Sequence, residues 1–236
     1  MRRPVAFAAV LMALAVAGLA VTALVVHRQQ AFTLGVRESL PVPLEPGAEI
    51  CQGPITVPAR AGFDGVTFML GTEHRPGPAL DVTVRSAGPD AERLRLGATM
   101  ATARLAEGYP DSDRQPEHTL WMRRIPEGST IAVCFRNAGR RAVFIYGNTE
   151  LASRTSSGFS GGGRIGADLS IAFERRDPVS IATLVPAMLD RAALFRGLIA
   201  APWALGLLGG LALILIPLFL VRALRAAGDD GASSSV

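Results

Sequence analysis

The sequence predicts a mainly β domain, an antiparallel β-sandwich of about eight strands, flanked by two transmembrane helices and a juxtamembrane helix. Three observations lead to this fold class. Uncharged apolar runs occupy residues 4–26 and 198–221. Between them, short apolar stretches alternate with polar residues at a period of two and are separated by glycine, proline and acidic residues. Two cysteines lie far apart within this β-rich segment.

The two apolar runs are each long enough to span a bilayer, because about 20 apolar residues at ~1.5 Å per residue cross a ~30 Å hydrocarbon core. Residues 1–3 then form a short cytoplasmic N-terminus. Residues 1–20 also fit a signal peptide with small residues at a cleavage site, but the longer apolar run favours an uncleaved anchor. Neither run contains an ionisable residue, which argues against an ion or proton path.

Small and aromatic residues in the second run indicate how that helix would sit in lipid. Gly206 and Gly210 have the GxxxG spacing that permits close helix packing. Trp203, at the outer end, is typical of an interfacial anchor. The two spans of one chain can pair with each other, so this spacing identifies no partner beyond the lipid bilayer.

Residues 27–49 are predicted to be an extended linker, because Pro41, Pro43 and Pro46 each remove a backbone donor. Residues 50–176 are predicted to form the sandwich. The clearest alternations, 80–85 and 168–174, each have one apolar face and one polar face. The strand number and spacing favour a jelly-roll-like or galactose-binding-like sandwich over an immunoglobulin domain.

After the predicted sandwich, the spacing of apolar residues changes from that of a strand to that of a helix. Apolar residues recur at helical spacing within residues 178–197, which predicts an amphipathic juxtamembrane helix at the membrane interface. A helix packed on the sandwich explains the same pattern. Residues 222–236 are predicted to be a disordered cytoplasmic tail.

The two cysteines, Cys51 and Cys134, are predicted to form a disulfide in an oxidising compartment, because they lack CxxC spacing and lie in a β-rich domain. Closing so long a loop stabilises a domain by up to ~4.5 kcal/mol in the chain-entropy model. We therefore expect a two-pass cell-membrane protein with an extracytoplasmic central domain and both termini in the cytoplasm. The alternative is a cytosolic domain with two buried free thiols.

The charge pattern excludes nucleic acid as an expected partner. The chain has 24 basic residues, all arginine, and a net charge of +4. These arginines are interspersed with acidic residues and form no basic stripe with interleaved aromatic residues.

Two segments match catalytic or phosphate-binding motifs in residue spacing but lack the secondary structure that those motifs require. Residues 158–162 match the GxSxG nucleophile motif, but no predicted helix follows and all three histidines precede Ser160. The formal GxGxxG at 161–166 likewise lacks a strand before it and a helix after it. Both are interpreted as a flexible Ser/Gly loop. We therefore expect no catalytic residues, no cofactor and no enzymatic activity.

The segment around residue 115 contains aromatic and acidic residues that are candidates for ligand binding. Tyr109 and Trp121 are candidate ligand platforms, with Asp111 and Asp113 as polar neighbours. Asp111, Asp113 and Glu117 are also hard oxygen donors of the kind that bind structural calcium. A solvated acidic turn is the commoner explanation, so no metal is predicted.

Three segments together, 50–55, 133–139 with 146–148, and 184–186, carry a resemblance to a family. The chain resembles uncharacterised actinobacterial membrane proteins with an extracytoplasmic jelly-roll-like or galactose-binding-like β-sandwich between transmembrane helices. The resemblance implies envelope glycan biology and supplies no catalytic residues. It favours a non-catalytic binding module for cell-envelope saccharide. The alternative is an accessory or scaffold subunit whose partner is another membrane protein, as in an envelope-polysaccharide glycosyltransferase system.

Overall fold

The computed structural model describes residues 2–90, 92–110, 117–149 and 156–185, together with residues 210, 211, 215, 219 and 222. The chain divides into two compact units. One unit is Gln29–Pro178, and the other combines Met1–Arg28 with Val179–Val236. The first unit contains the predicted β domain.

The described β structure is a series of short strands joined by turns. In chain order these are β1 (His27–Thr33), β2 (Leu40–Leu44), β3 (Glu49–Thr56), β4 (Phe63–Phe68), β5 (Leu70–Gly71), β6 (Leu80–Ala87), β7 (Leu96–Leu105), β8 (His118–Ile125), β9 (Thr130–Asn137), β10 (Val143–Asn148), β11 (Ser157–Ser160), β12 (Gly163–Arg164), β13 (Asp168–Leu169) and β14 (Ile171–Ser180).

These strands form two facing layers. One layer is a six-stranded sheet in the order β12-β11-β3-β9-β6-β7. The other combines the sheet β1-β14-β4-β8 with the sheet β13-β10-β2, since β5 continues β4 and β13 leads into β14 after one residue. Every pairing with a defined register is antiparallel, as between β6 and β9. The predicted antiparallel β-sandwich is confirmed.

The core lies between the layers and consists of the inward-facing residues of both. Phe68 on β4 meets Phe135 on β9 edge-on, with ring centroids 4.9 Å apart. Towards the other end, Phe32 stacks on Phe173 at 4.2 Å and Phe63 meets Phe173 at 4.6 Å. Aromatic pairs of this geometry contribute about 0.5–1.5 kcal/mol each beyond the area that they bury.

The expected linker at 27–49 is wrong for most of its length, because it contains β1 and β2. Pro41 and Pro43 are exposed and alternate with the buried Val42 and Leu44. β2 lies at the edge of its sheet, where a residue without an N–H group breaks no hydrogen bond that the sheet needs. The prolines therefore mark an edge strand.

The glycine-rich loop at 158–166 also contains regular structure. β11 pairs with β3, and a hairpin turn connects it to β12. Gly161 and Gly162 form that turn with φ of 57° and 85°, conformations that glycine adopts readily.

The predicted disulfide between Cys51 and Cys134 is confirmed. The two residues are direct partners on β3 and β9 and stand 83 residues apart in the chain. The bond joins neighbouring strands at the centre of the six-stranded sheet, so it closes a long loop without linking the two layers.

The second unit is described in part. Helix α1 spans Arg2–Val25, and residues 181–185 are helical, at the start of the predicted juxtamembrane helix. No helix among the described residues is long and apolar enough to count as a membrane span. The two spans stay predictions. Gly210 and Arg222 are helical; Trp203, Gly206, residues 186–197 and the tail after Arg222 lie outside the described residues.

Candidate ligand-binding face around Trp121

Trp121 lies on the outer face of the sheet β1-β14-β4-β8. It is on β8, the edge strand, where it pairs with Gly65 on β4. Its side chain is 38% exposed, whereas Met122 next to it is buried in the core. The expectation that Trp121 is open to a ligand is compatible with this position, and its role in binding stays a prediction.

Gly65 allows the indole to lie against the sheet. A Cβ atom at Gly65 would be 2.7 Å from Cζ3 and 2.8 Å from Cε3 of Trp121, far inside van der Waals contact. Any other residue at this position would push the ring off the sheet. The pairing of Gly65 with Trp121 therefore positions the aromatic ring.

Charged groups on β14 flank the indole on the same face. The guanidinium carbon of Arg176 is 5.7 Å from the centroid of the Trp121 ring, within cation–π range. Asp64 holds that arginine: its Oδ1 accepts the Arg176 backbone N–H at 2.8 Å, and its Oδ2 lies 4.0 Å from Arg176 Nε. The Cβ of Glu174 lies 3.0 Å from the Cβ position of Gly65.

Glu174, the β14 partner of Gly65, supplies a carboxyl on this face. Partial burial raises its pKa, and the negative charge of Glu117 raises it further, whereas Arg175 opposes the shift. One row further along the strands, the hydroxyls of Thr67 and Thr119 lie 2.8 Å apart. The face thus offers one aromatic ring with a carboxyl, a guanidinium and the exposed Thr119 hydroxyl, which the buried Thr67 hydroxyl contacts from below.

Tyr109 was expected outside the core, and this expectation is wrong. Its side chain is 7% exposed and belongs to the core cluster. The ring lies directly over Gly77, where a Cβ atom would be only 2.0 Å from Cε2. Tyr109 therefore presents no open ring face to a ligand.

The neighbour of Tyr109 is His118, whose ring centroid is 5.0 Å away in an edge-on arrangement. Among the described residues, neither the Tyr109 hydroxyl nor His118 Nε2 has a hydrogen-bond partner, and both atoms are buried. Burial raises the pKa of the Tyr109 phenol above its usual value and lowers the pKa of the His118 imidazole. Both groups are therefore neutral at pH 7.

Of the three acidic residues that are candidate ligand or metal contacts, the structure describes one. Asp111 and Asp113 lie outside the described residues, and Glu117 is exposed just before β8. Within the described part of the chain, the grouping of potential metal ligands is Glu49, Cys51 and Cys134. Its two sulfurs are bonded to each other, so they are not the thiolates that bind a metal.

Ser160, the serine of the GxSxG match, has a structural contact. Its hydroxyl donates to the backbone carbonyl of Glu49 at 3.2 Å, which ties the hairpin to β3.

Two buried amide side chains that sequence reasoning did not single out fix the loops. Asn137 Nδ2 donates to the carbonyls of Leu44 and Arg141 at 2.9 and 2.7 Å, and its Oδ1 accepts from the Gly139 N–H. Gln52 likewise donates to Ser156 and accepts from the backbone N–H of Leu169. An Asn two residues before a Gly is a turn signal that could have identified Asn137.

A cavity of about 200 Å³ lies beside the loop that Asn137 organises. It lies between residues 72–78 and Arg141, and Arg141 closes one side by donating to the carbonyl of Pro76 at 2.9 Å. The walls are exposed side chains such as Glu73 and Arg75, so this is an open surface depression.

The described residues define a β-sandwich with an exposed aromatic ring, that of Trp121, on one outer face. No protein-family model and no curated protein matches the chain. A CBM6 module from Clostridium stercorarium in complex with cellobiose is similar at 15% identity and a TM-score of 0.28, over 51% of this chain and 89% of that one.

The CBM22-1–GH10 modules of a Clostridium thermocellum endo-1,4-β-D-xylanase complexed with xylohexaose are similar at 10% identity and a TM-score of 0.20. This match covers 57% of the present chain and 18% of the xylanase chain. The β-sandwich fold stated above is established by the strand pairing and core of this protein itself.

Proposed function

We propose that the protein is a membrane-anchored, non-catalytic β-sandwich module that binds a saccharide of the cell envelope on the face around Trp121. The observation that carries the proposal is the half-exposed indole held on Gly65, with Arg176 beside the ring and Glu174 on the other side of Gly65. An aromatic ring fixed on a strand offers a flat apolar surface at little entropic cost.

The chemistry of this face suits a sugar ring. The C–H faces of a pyranose pack on an indole, while its hydroxyl groups need donors and acceptors at the rim. Glu174 accepts, Arg176 donates, and the exposed hydroxyl of Thr119 does either. No step of this binding requires a nucleophile or a general base.

The compartment and the anchor are supported by chemistry and sequence. A disulfide persists in an oxidising environment, and Cys51 and Cys134 are bonded. The uncharged runs at 4–26 and 198–221 have the length and composition of bilayer spans. Together they favour a domain displayed outside the cytoplasm with both termini inside.

Binding is tested on the full chain in a polyoxyethylene detergent, because the sugar headgroups of maltoside detergents would compete. The chain contains two tryptophans, so a Trp203→Phe background leaves Trp121 as the reporter of fluorescence. Titration with a panel of neutral envelope oligosaccharides should quench or shift this emission. Affinities are then compared by calorimetry, which needs no tryptophan.

Trp121→Ala should weaken saccharide binding at least about tenfold, the equivalent of ~1.4 kcal/mol. The matched control is Leu40→Ala, which removes an apolar side chain of similar exposure, 37% against 38%, from β2 and should leave affinity unchanged. Equal affinity in the two variants would overturn the site. A stoichiometric membrane partner that copurifies, with no saccharide bound, would favour the accessory-subunit alternative.

A further inference from the structure

A bulge between β4 and β8 re-aims an arginine at one end of the sandwich. Phe63 pairs with Ile125 and Gly65 pairs with Trp121, so three β8 residues lie opposite one residue of β4. Bulges of this kind redirect side chains and often occur beside functional sites. Here Arg124 turns towards the start of β4, and its Nε lies 3.6 Å from the Cβ position of Gly62.

A second arginine reaches the same turn from β14. Arg175 donates through its Nη2 to the carbonyl oxygen of Arg60 at 3.3 Å. The Arg175 side chain is buried, with 8% of the residue exposed, and its Nε has no hydrogen-bond partner among the described residues. Two guanidinium groups therefore converge on residues 60–62, and one of them has an unused buried donor.

Acidic side chains near the turn accept hydrogen bonds from backbone N–H groups. Glu127 accepts the backbone N–H of Arg60, and Asp64 accepts the backbone N–H of Arg176 and pairs with its guanidinium. Within the part of the chain that the structure describes, neither Arg124 nor Arg175 forms an ion pair. The two guanidinium groups at this turn therefore have no direct carboxylate partner among the residues described.

Burial of the Arg175 guanidinium with an unused donor is costly. Burial lowers the pKa of Arg175, and the positive charge of Arg124 lowers it further, whereas the negative charges of Asp64 and Glu174 oppose the shift; the arginine stays charged at any physiological pH. Arg60 adopts φ of 60°, a left-handed conformation that is strained for a residue with a side chain. A buried cation with an unused donor is stabilised most by an anion that accepts from it.

We propose that Arg124 and Arg175 form a binding site for a phosphate group at the turn formed by residues 58–62. Guanidinium groups bind phosphate oxygens through paired, charge-assisted hydrogen bonds, and a phosphate dianion matches two such groups. The phosphate belongs either to a saccharide or to a phospholipid headgroup, which share this chemistry. The site stands on its own residues and does not depend on saccharide binding at Trp121.

The test is a calorimetric titration of the full chain, in the same detergent, with inorganic phosphate at low ionic strength. Chloride at equal ionic strength is the reference for general screening of charge. Arg124→Gln should weaken phosphate binding about tenfold, because it removes one charged donor pair. Arg123→Gln is the matched control, since it removes the same charge from the adjacent exposed position.

A second measurement, of the unfolding temperature, requires no substitution of the buried Arg175. Phosphate should raise the unfolding temperature of the unaltered chain above its value in chloride, and this increase should disappear in Arg124→Gln but persist in Arg123→Gln. Equal affinity for phosphate in these two variants, or no effect beyond that of chloride, overturns the proposal.

The source of the phosphate is distinguished by glucose 1-phosphate and glycerol 3-phosphate, the second being a headgroup analogue. Tighter binding of either one supports the site and identifies its carrier. Trp121→Ala should leave the affinity for inorganic phosphate unchanged. Failure of saccharide binding at Trp121 is thereby distinguished from failure of the phosphate site.

Discussion

Two aromatic side chains of this protein rest on glycines, yet one is open and the other is closed. Trp121 lies on Gly65 at the outer face of a sheet, and Tyr109 lies on Gly77 within the core. In both pairs the missing Cβ lets a ring approach the backbone. The difference lies in what covers the second face: solvent and flanking charges at Trp121, and His118 at Tyr109.

The comparison separates a structural contact from a binding surface. A ring that is covered on both sides contributes burial and has nothing left for a ligand. A ring covered on one side gives up part of that burial and keeps a face exposed. We therefore expect substitutions at the two glycines to affect different measured quantities.

The largest effect is expected from Gly77→Ala. The added methyl group would overlap the buried Tyr109 ring, so the free energy of unfolding should fall by about 3 kcal/mol. Urea denaturation measures this change. Gly88→Ala is the control, because its Cβ would meet only Arg95 at an ordinary 3.5 Å. A loss below about 1 kcal/mol would show that the Tyr109 ring is not confined.

Gly65→Ala should have a smaller effect on stability and a larger one on binding. The indole is half exposed and can tilt away from the new methyl group, so we expect a loss of about 1 kcal/mol in the free energy of unfolding. Saccharide affinity should fall about tenfold, because the flat platform is lost. Calorimetry and denaturation of one preparation test both. Unchanged affinity would show that the orientation of the indole does not matter.

His118 should make stability depend on pH. Its pKa is lowered by burial, so the unfolded chain binds the proton more readily than the folded chain. The contribution of neutral His118 to the free energy of unfolding should be fully present above about pH 6.5, the ordinary pKa of histidine. It should decline as the pH falls towards 5. Unfolding measured from pH 7 to 5 should show a weaker decline in His118→Gln. The exposed His27→Gln should retain the full decline, and identical slopes in both variants would contradict the prediction.

The smallest effect is expected from Tyr109→Phe. The hydroxyl is buried without a partner among the described residues, so its removal should raise the free energy of unfolding by up to about 1 kcal/mol. The variant should also lose the decline in stability above about pH 10, since burial raises the pKa of this phenol. Destabilisation by Tyr109→Phe would show that the hydroxyl has a partner.

Much of the sandwich could be predicted from local patterns. Alternation identified strands such as 80–87 and 130–137, because the period-two pattern directly reflects burial on one face. The same reasoning failed at β2, where edge position overrides the usual effect of proline. It also failed at β11 and β12, where the two glycines Gly161 and Gly162 form a hairpin turn.

The candidate site, too, could be predicted only in part from the sequence. Trp121 was identified from its residue type alone, whereas its partners Glu174 and Arg176 are more than 50 positions away and meet it only through the pairing of β8, β4 and β14. Nothing local to Tyr109 indicates that Gly77 opens a place for its ring in the core. Strand register, which depends on pairing over the whole chain, decides such contacts.

The sequence by itself determined the β-rich class, the pairing of its only two cysteines and the two apolar ends, because composition and period act locally. The tertiary structure decided which aromatic ring stays open, which arginine is buried with an unused donor, and which prolines belong to a strand. These properties arise where strands that are distant in the sequence lie side by side. There, the presence or absence of a single Cβ atom determines what a surface can contact.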